Sequence, residues 1–273
     1  MIALTGATGL VGRWLLPLAD LTFGRRPAGK LHRDYSLTGP PPDMTGVTTL
    51  IHAAFQHEPG RYRGGEGDNP EGFIEANLHG TLRLFDAVAD AGVERVIFLS
   101  SRAVFDGLPP ATNLSEDLTT EPKSLYGQVK AAAETRLFSL PMVGISLRAT
   151  GIYGPGKDHK WTGLFADHLN GRPVAPRRGT EVHGTDLAQA ARLALTSATS
   201  GAMHVSDILL DRHDLLTEVN RLTGCKIAPP TRATSPVSPL ICEKLRSLGW
   251  IPGGMNLLRS SLSEMLPDTA ART

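Results

Sequence analysis

A short apolar segment, Ile2-Ala3-Leu4-Thr5, runs straight into glycines at positions 6, 9 and 12. Glycines at this spacing, followed by the apolar run Trp14-Leu15-Leu16, dictate a strand, a tight turn and a helix in immediate succession. Pro17 limits how regularly that helix can run towards Ala19. The turn has a chemical consequence. A backbone without side chains can be approached closely, and free N–H groups at a helix start can donate hydrogen bonds to a phosphate. Glycine spacing alone suits a purely structural turn equally well; its place directly after the first strand favours a dinucleotide.

The pattern repeats downstream. Leu21-Thr22-Phe23 reads as a second strand ending in Arg25-Arg26-Pro27, and residues 31–35 as a third, closed off by Gly39 and three prolines. Residues 47–55 are apolar and β-branched enough for a fourth strand. Residues 59–72, rich in glycine and charge, read as a surface loop. Leu78, Leu82, Phe85, Val88 and Ala89 then recur at helical spacing. Residues 96–99 form a continuous apolar run, as in strands covered on both faces. A helix over 124–138 and a strand over 143–147 follow. This alternation predicts an α/β fold, a Rossmann-type doubly wound parallel sheet. Beyond Tyr153 the alternation weakens and prolines become frequent, so a smaller, irregular C-terminal substrate lobe is expected. The dinucleotide-binding domain is assigned to 1–150 plus about 183–205, and the lobe to about 151–182 plus 206–273.

Charge narrows the partners. The 28 basic side chains nearly cancel the 27 acidic ones, which argues against global attraction to nucleic acid or an anionic membrane. No apolar run approaches the length of a bilayer span, and no secretory signal is expected ahead of the glycine turn. Cys225 and Cys242 lie in no metal or redox spacing and read as free thiols of a cytoplasmic protein. The nine histidines show no ligand spacing, so no metal is expected; His52 falls in a strand, and His159 and His168 read as surface or satisfied residues.

Two features carry candidate chemistry. Tyr126 and Lys130 are four apart in Tyr-Gly-Gln-Val-Lys, which stacks them on one helix face. An ammonium beside a phenol stabilises the phenolate and lets it exchange protons with an alcohol or carbonyl, although the spacing taken alone more often marks a half-buried ring beside a solvated charge. Ser100 and Ser101 end the apolar strand, either as a common strand-terminating polar pair or as hydroxyls at the sheet edge where open parallel sheets bind ligands.

The ordered set Gly6-x-x-Gly9-x-x-Gly12, His52-Ala53-Ala54, Asn77-x-x-Gly80-Thr81, Ser100-Ser101 and Tyr126-x-x-x-Lys130 resembles the extended short-chain dehydrogenase/reductase family, the NAD-dependent epimerases, dehydratases and reductases. Leu147-Arg148, Tyr153-Gly154-Pro155-Gly156, residues 182–188 and Leu248-Gly249-Trp250-x-Pro252 extend the likeness over nearly the whole chain. The resemblance implies that Tyr126 is the general acid/base, that Lys130 holds the nicotinamide ribose, that Ser101 binds the reacting oxygen and that Asn77 supports the geometry. The turn from Gly6 through Thr8, Gly9, Leu10 and Val11 to Gly12, with Ala53 and Ala54, would hold the dinucleotide. Arg148, Tyr153 and Arg178 would face the substrate.

Departures from the family pattern shape the expectations. The opening is compact, as in the dehydrorhamnose reductases, whereas Tyr153-Gly-Pro-Gly is closer to the epimerases. Gly151 stands where the family often has a substrate-side asparagine, and Arg178 is one residue out of register. Arg25, at the end of the second strand with no carboxylate beside it, favours NADP over NAD, while Asp34 could serve NAD from the third strand. The expected enzyme is an NAD(P)-dependent epimerase, dehydratase or reductase of a nucleotide sugar or related hydroxy or keto substrate. A carbonyl reductase of a small non-nucleotide substrate and a non-catalytic dinucleotide-binding regulator are the alternatives. The family also implies a homodimer through two helices, one of them carrying Tyr126 and Lys130.

Overall fold

Alternating apolar residues decide the layers. In the computed structural model, which describes residues 1–58, 65–156 and 159–267, Ala3, Leu50 and Val96 point into one apolar core. Their neighbours Leu4, Ile51 and Ile97 point into the other, because successive strand residues face opposite ways. A sheet apolar on both faces must be covered on both. The strands and helices that achieve this are β1 (Ile2–Thr5), α1 (Gly12–Leu15), β2 (Leu21–Gly24), β3 (Leu31–Asp34), β4 (Thr49–His52), α2 (Pro70–Ile74), α3 (Gly80–Asp90), β5 (Arg95–Ser101), α4 (Leu125–Phe138) and β6 (Val143–Ala149). They are followed by β7 (Gly151–Tyr153), α5 (Thr162–Leu169), β8 (Arg178–His183), α6 (Gly184–Ala194) and β9 (Gly201–Val205). The chain closes with β10 (Ile208–Asp211), α7 (Arg212–Thr223), α8 (Glu243–Ser247) and α9 (Gly254–Met265).

Seven strands form one all-parallel sheet in the order β3-β2-β1-β4-β5-β6-β9. This is a Rossmann-type sheet. Strand order reverses between β1 and β4, so the crevice beyond Thr5 and His52 is the switch point where such sheets take ligands. Leu84, Phe85 and Val88 of α3, with Ala133 and Leu137 of α4, cover one face. Leu15 of α1 and Leu187, Ala190 and Ala191 of α6 cover the other.

The second sheet was not foreseen. It has three strands in the order β10-β8-β7 and packs with α5, α7 and α9 around Tyr153, Trp161, Phe165, Leu216 and Leu258. Other elements differ from expectation for local reasons. Helix α1 is a single turn, because Pro17 diverts the chain into a 3-10 turn over Leu16–Leu18. The fourth strand ends at His52, not residue 55. The expected loop closes at Asn69, whose side chain caps α2 by accepting from Gly72 N–H at 2.9 Å; residues 59–64 of that loop lie outside the described ones. Among the described residues no helix is long and apolar enough to cross a membrane, and no cluster of three or more candidate metal ligands occurs. Both cysteines are free.

Among the buried histidines, three are held far from their ordinary titration range. Burial, reinforced by a nearby cation in each case, pushes His52 down to about 3, His183 to about 4 and His204 to about 3. Each is neutral in the fold, whereas an unfolded chain protonates histidine near pH ~6.5. Below that pH the unfolded state binds more protons, so stability falls as pH falls. Circular-dichroism melts should show the midpoint dropping progressively from about pH 6.5 towards 4. A midpoint flat across that window would mean that these imidazoles accept protons inside the fold.

Candidate active site

The glycine turn is built by contact as well as by conformation. Gly6 has φ +74°, and a Cβ there would lie 2.6 Å from Ala54 N. A Cβ on Gly12 would lie 2.0 Å from Gly6 O, so the start of α1 can close onto the turn only with glycine at that position. Gly9 differs. Its nearest neighbour would be Gly6 O at 3.3 Å, and together with Thr8 it is exposed. Leu10 and Val11 are half-buried behind it. The turn is therefore closed against the protein at Gly6 and Gly12 and open to solvent at Gly9, which fits the approach of a pyrophosphate.

Thr5 ties this turn to the loop after β4. Its Oγ1 accepts from Ala53 N at 3.2 Å and Ala54 N at 3.1 Å, and lies 2.7 Å from His52 Nδ1. With two N–H groups already pointing at the oxygen, the hydroxyl proton goes to Nδ1, so the imidazole carries its own proton on Nε2 and donates to Thr81 Oγ1 at 3.0 Å. His52 is thus a structural link between β1, β4 and α3. Asn77 performs the same task one step along: its Oδ1 accepts from Gln56 N and its Nδ2 donates to Gln56 O, both at 2.7 Å. Asn77 lies in a π-helical turn over Glu75–His79 between α2 and α3, a distortion often found at functional sites.

Helix α4 begins where the sequence places it. Ser124 caps it, accepting from Gly127 N–H at 3.1 Å, and itself donates to the Asp106 carboxylate. Gly127 has a distinct purpose, because a Cβ there would meet Ala103 O at 2.4 Å. The first turn of α4 can therefore lie against the 3-10 turn over Arg102–Phe105 that leaves β5. Tyr126 is half-buried on that first turn, with its ring edge-to-face with Phe55 at 5.1 Å. Lys130 is 4 % exposed and donates to Leu99 O at 2.7 Å. Burial pushes its pKa down to about 7, with Glu134 opposing. Ser101 is half-buried at the end of β5, its Oγ accepting from Ala103 N at 3.2 Å, while the Oγ of Ser100 is buried without a hydrogen-bond partner. Tyr126, Lys130, Ser101, the Asn77 clamp and the glycine turn thus converge on the carboxyl edge of the sheet.

The substrate-side residues are arranged otherwise than the sequence suggests. Arg148 forms a buried bidentate pair with Glu134, with Nη2 to Oε2 at 2.7 Å, and lies over the Phe105 ring. It is enclosed on the sheet's interior and is not available to a substrate. Tyr153 is 2 % exposed and stacked on Trp161 at 5.0 Å; burial raises its pKa and places its ring in the core of the small lobe. Arg178 donates to Ser235 O at 2.7 Å, whereas its neighbour Arg177 lines a cavity of about 90 Å³. Lys160, Trp161, Glu181 and Arg212 line the same cavity. A Cβ on Gly151 would lie 2.1 Å from Glu181 Oε2, so the ion pair of Lys160 with Glu181 fills the space beside that glycine. Burial pushes Lys160 down and Glu181 up, against their mutual attraction.

Residues 34–206 match the NAD dependent epimerase/dehydratase family. The chain belongs to that family. A UDP-glucose 4-epimerase of Mycolicibacterium smegmatis is 35% identical over 137 residues, covering 45% of this chain and 42% of that one. UDP-glucuronate 4-epimerase 1 of Arabidopsis thaliana is 29% identical over 146 residues, 50% of this chain and 33% of that one. The chain spans less than half the length of the curated relatives it matches. Among solved structures, the Thermus thermophilus UDP-glucose 4-epimerase complex with NAD has a TM-score of 0.75 at 25% identity, covering 96% of this chain and 98% of that one. The Bordetella bronchiseptica enzyme WbmG in complex with NAD shares the fold at a TM-score of 0.78 and 20% identity, covering 99% and 94%.

Within this epimerase/dehydratase chain, sequence reading missed Phe55, Gly127, Lys160, Glu181, Arg177 and Arg212. One signal was available: the glycine directly after Tyr126 marks a close backbone approach. The others depend on which strands become neighbours.

Proposed function

We propose that the chain is an NAD(P)-dependent oxidoreductase or epimerase acting on a hydroxyl or keto carbon of a nucleotide-linked sugar. The observation that carries this reading is the meeting of Tyr126 and Lys130 on one face of α4 with the end of β5, above a glycine turn open at Gly9. The turn from Gly6 to Gly12, Ala53, Ala54 and Lys130 suit a nicotinamide dinucleotide. Such a cofactor supplies a hydride acceptor and donor at the substrate carbon.

Tyr126 takes the hydroxyl proton as that carbon loses hydride, and returns a proton to the carbonyl oxygen when hydride comes back. Lys130 holds the ribose and, as an ammonium, favours the phenolate. Ser101 donates to the reacting oxygen, and Asn77 keeps the loop after β4 in place. In the small lobe, Lys160, Arg177 and Arg212 outnumber Glu181 around the cavity, a charge balance suited to a diphosphate. The UDP-sugar epimerases among the relatives point the same way. A second reading, a reductase of a small non-nucleotide carbonyl, is favoured by Gly151, where an ion pair fills the place of a substrate amide. Competition by UDP separates the two: displacement of a bound fluorescent nucleotide supports the first, and no binding at millimolar UDP the second. A homodimer through α4 and a reducing, cytoplasmic setting belong to the same proposal, the latter supported by the two free thiols.

Cofactor choice follows from the ends of β2 and β3. Arg25 is exposed beyond β2 and suits a 2′-phosphate. Asp34 lies opposite Gly24 in the strand register, with His32 at 3.4 Å, and suits a free 2′-hydroxyl. The solved relatives hold NAD. We expect NADPH to bind more tightly than NADH, and Arg25→Ala to reduce that preference by about tenfold, as the loss of one charge-assisted contact. NADH binding more tightly in the wild type, with Arg25→Ala neutral, would assign the role to Asp34. Release of bound nucleotide on denaturation, identified by mass spectrometry, tests the whole reading. Retained NAD marks a cycle that regenerates its cofactor, and an empty site that binds NADPH marks a reductase.

A further inference from the structure

Lys130 is enclosed by aromatic rings. Of its three donors one reaches Leu99 O, and the Nζ lies 4.4 Å from the Phe55 ring centroid, 4.6 Å from Phe98 and 5.9 Å from Tyr126. The two walls beside Lys130 differ in mobility. Phe98 is fixed: it is 2 % exposed within β5, stacked on His52 at 5.7 Å and edge-to-face with Phe85 at 5.6 Å. Phe55 is half-buried on the loop leaving β4, touching Tyr126 at 5.1 Å, Phe73 at 5.5 Å and His57 at 6.5 Å. The backbone beside it is clamped at Gln56 by Asn77, so rotation of the side chain is the available motion.

We propose that Phe55 determines the affinity of this site for a nicotinamide ribose: its ring covers the approach to Lys130 Nζ and turns aside before the ammonium can take a diol. The inference rests on the role given to Lys130 above. A site competent only when the ring is turned away binds with an apparent affinity reduced by the fraction of time it is open. The geometry also links the two catalytic side chains, because the same ring contacts both Tyr126 and Lys130. Until it turns, the Lys130 ammonium, 4 % exposed, stays shielded from water and from adventitious ligands.

The test is a set of binding titrations with NADPH and NADH on the wild type, Phe55→Ala, Phe55→Leu, Lys130→Met and the Phe55→Ala/Lys130→Met double variant, read by nicotinamide fluorescence. Phe55→Ala should tighten binding by about tenfold, corresponding to a ring that is turned aside about a tenth of the time. Phe55→Leu should fall between the two, and serves alone should the alanine variant not fold. The gain should vanish in the double variant, since the ammonium is what the ring covers. ADP, which lacks the nicotinamide ribose, should bind every variant alike. Unchanged or weaker dinucleotide binding in Phe55→Ala and Phe55→Leu, with the wild type binding normally, would overturn this inference alone. Failure of the wild type and all variants to bind either dinucleotide would overturn the proposed function with it.

Discussion

Tyr126→Phe should lower kcat by about 10²- to 10⁴-fold, the range for loss of a positioned general acid or base. The substitution removes one oxygen and little else. The ring keeps its edge-to-face contact with Phe55, Ser124 still caps α4, and Gly127 still lies against Ala103 O. Lys130 keeps its bond to Leu99 O. Dinucleotide affinity should therefore stay within about twofold, and the loss should appear in kcat and in kcat/KM together, as for an interaction made only in the transition state. Steady-state rates with a UDP-hexose, paired with a cofactor titration, check both halves. A phenylalanine variant that retained more than about a tenth of wild-type kcat would remove Tyr126 from the proton-transfer role. Loss of both binding and turnover would point to a structural role for the hydroxyl.

Gly12→Ala should be the most damaging single methyl addition in the glycine turn. The new Cβ would meet only backbone: Gly6 O at 2.0 Å, Gly6 C at 2.6 Å and Ala7 Cα at 2.9 Å. No side chain can move aside there, so the start of α1 must lift away from the turn. Overpacking of this kind costs about 3 kcal/mol, which lowers the melting temperature of a chain this size by about 6–12 °C. Dinucleotide binding should be lost with it. Gly9→Ala separates the two effects. Its Cβ has only Gly6 O within reach, at 3.3 Å, so the fold should melt nearly as the wild type does while a methyl intrudes on the approach to the phosphates. Melts and binding titrations on the pair provide the check. If Gly12→Ala melted and bound like the wild type, the turn would be less tightly closed than described.

Much of the frame was legible because it is written locally. The change of face between Ala3 and Leu4, or between Val96 and Ile97, is a property of neighbouring residues, and it demands a sheet covered on both sides. Ser124 announces the start of α4 by capping residues next to it in sequence, and Tyr126 and Lys130 share a face through the helix repeat alone. The glycine turn is equally local, since strand, reversal and helix follow within fifteen residues.

Side chains brought together across long sequence separations depended on the tertiary structure. Arg148 could be read as substrate-facing until β6 and α4 became neighbours and Glu134 enclosed it. Gly151 reads as a missing amide, but its pairing with Glu181 across β7 and β8, and the reach of Lys160, fill that space with an ion pair. Phe55 is an unremarkable loop residue in sequence, yet strand order sets it over Lys130, seventy-five positions away. The sequence by itself determined the order of strands and helices as far as β6, the glycine turn and the shared helix face of Tyr126 and Lys130, because short-range sterics and periodicity decide those. Which groups surround the pair, and which cations line the cavity of the small lobe, were decided only by which strands lie side by side in the folded sheets, since burial and ion pairing act between residues that the chain alone does not bring together.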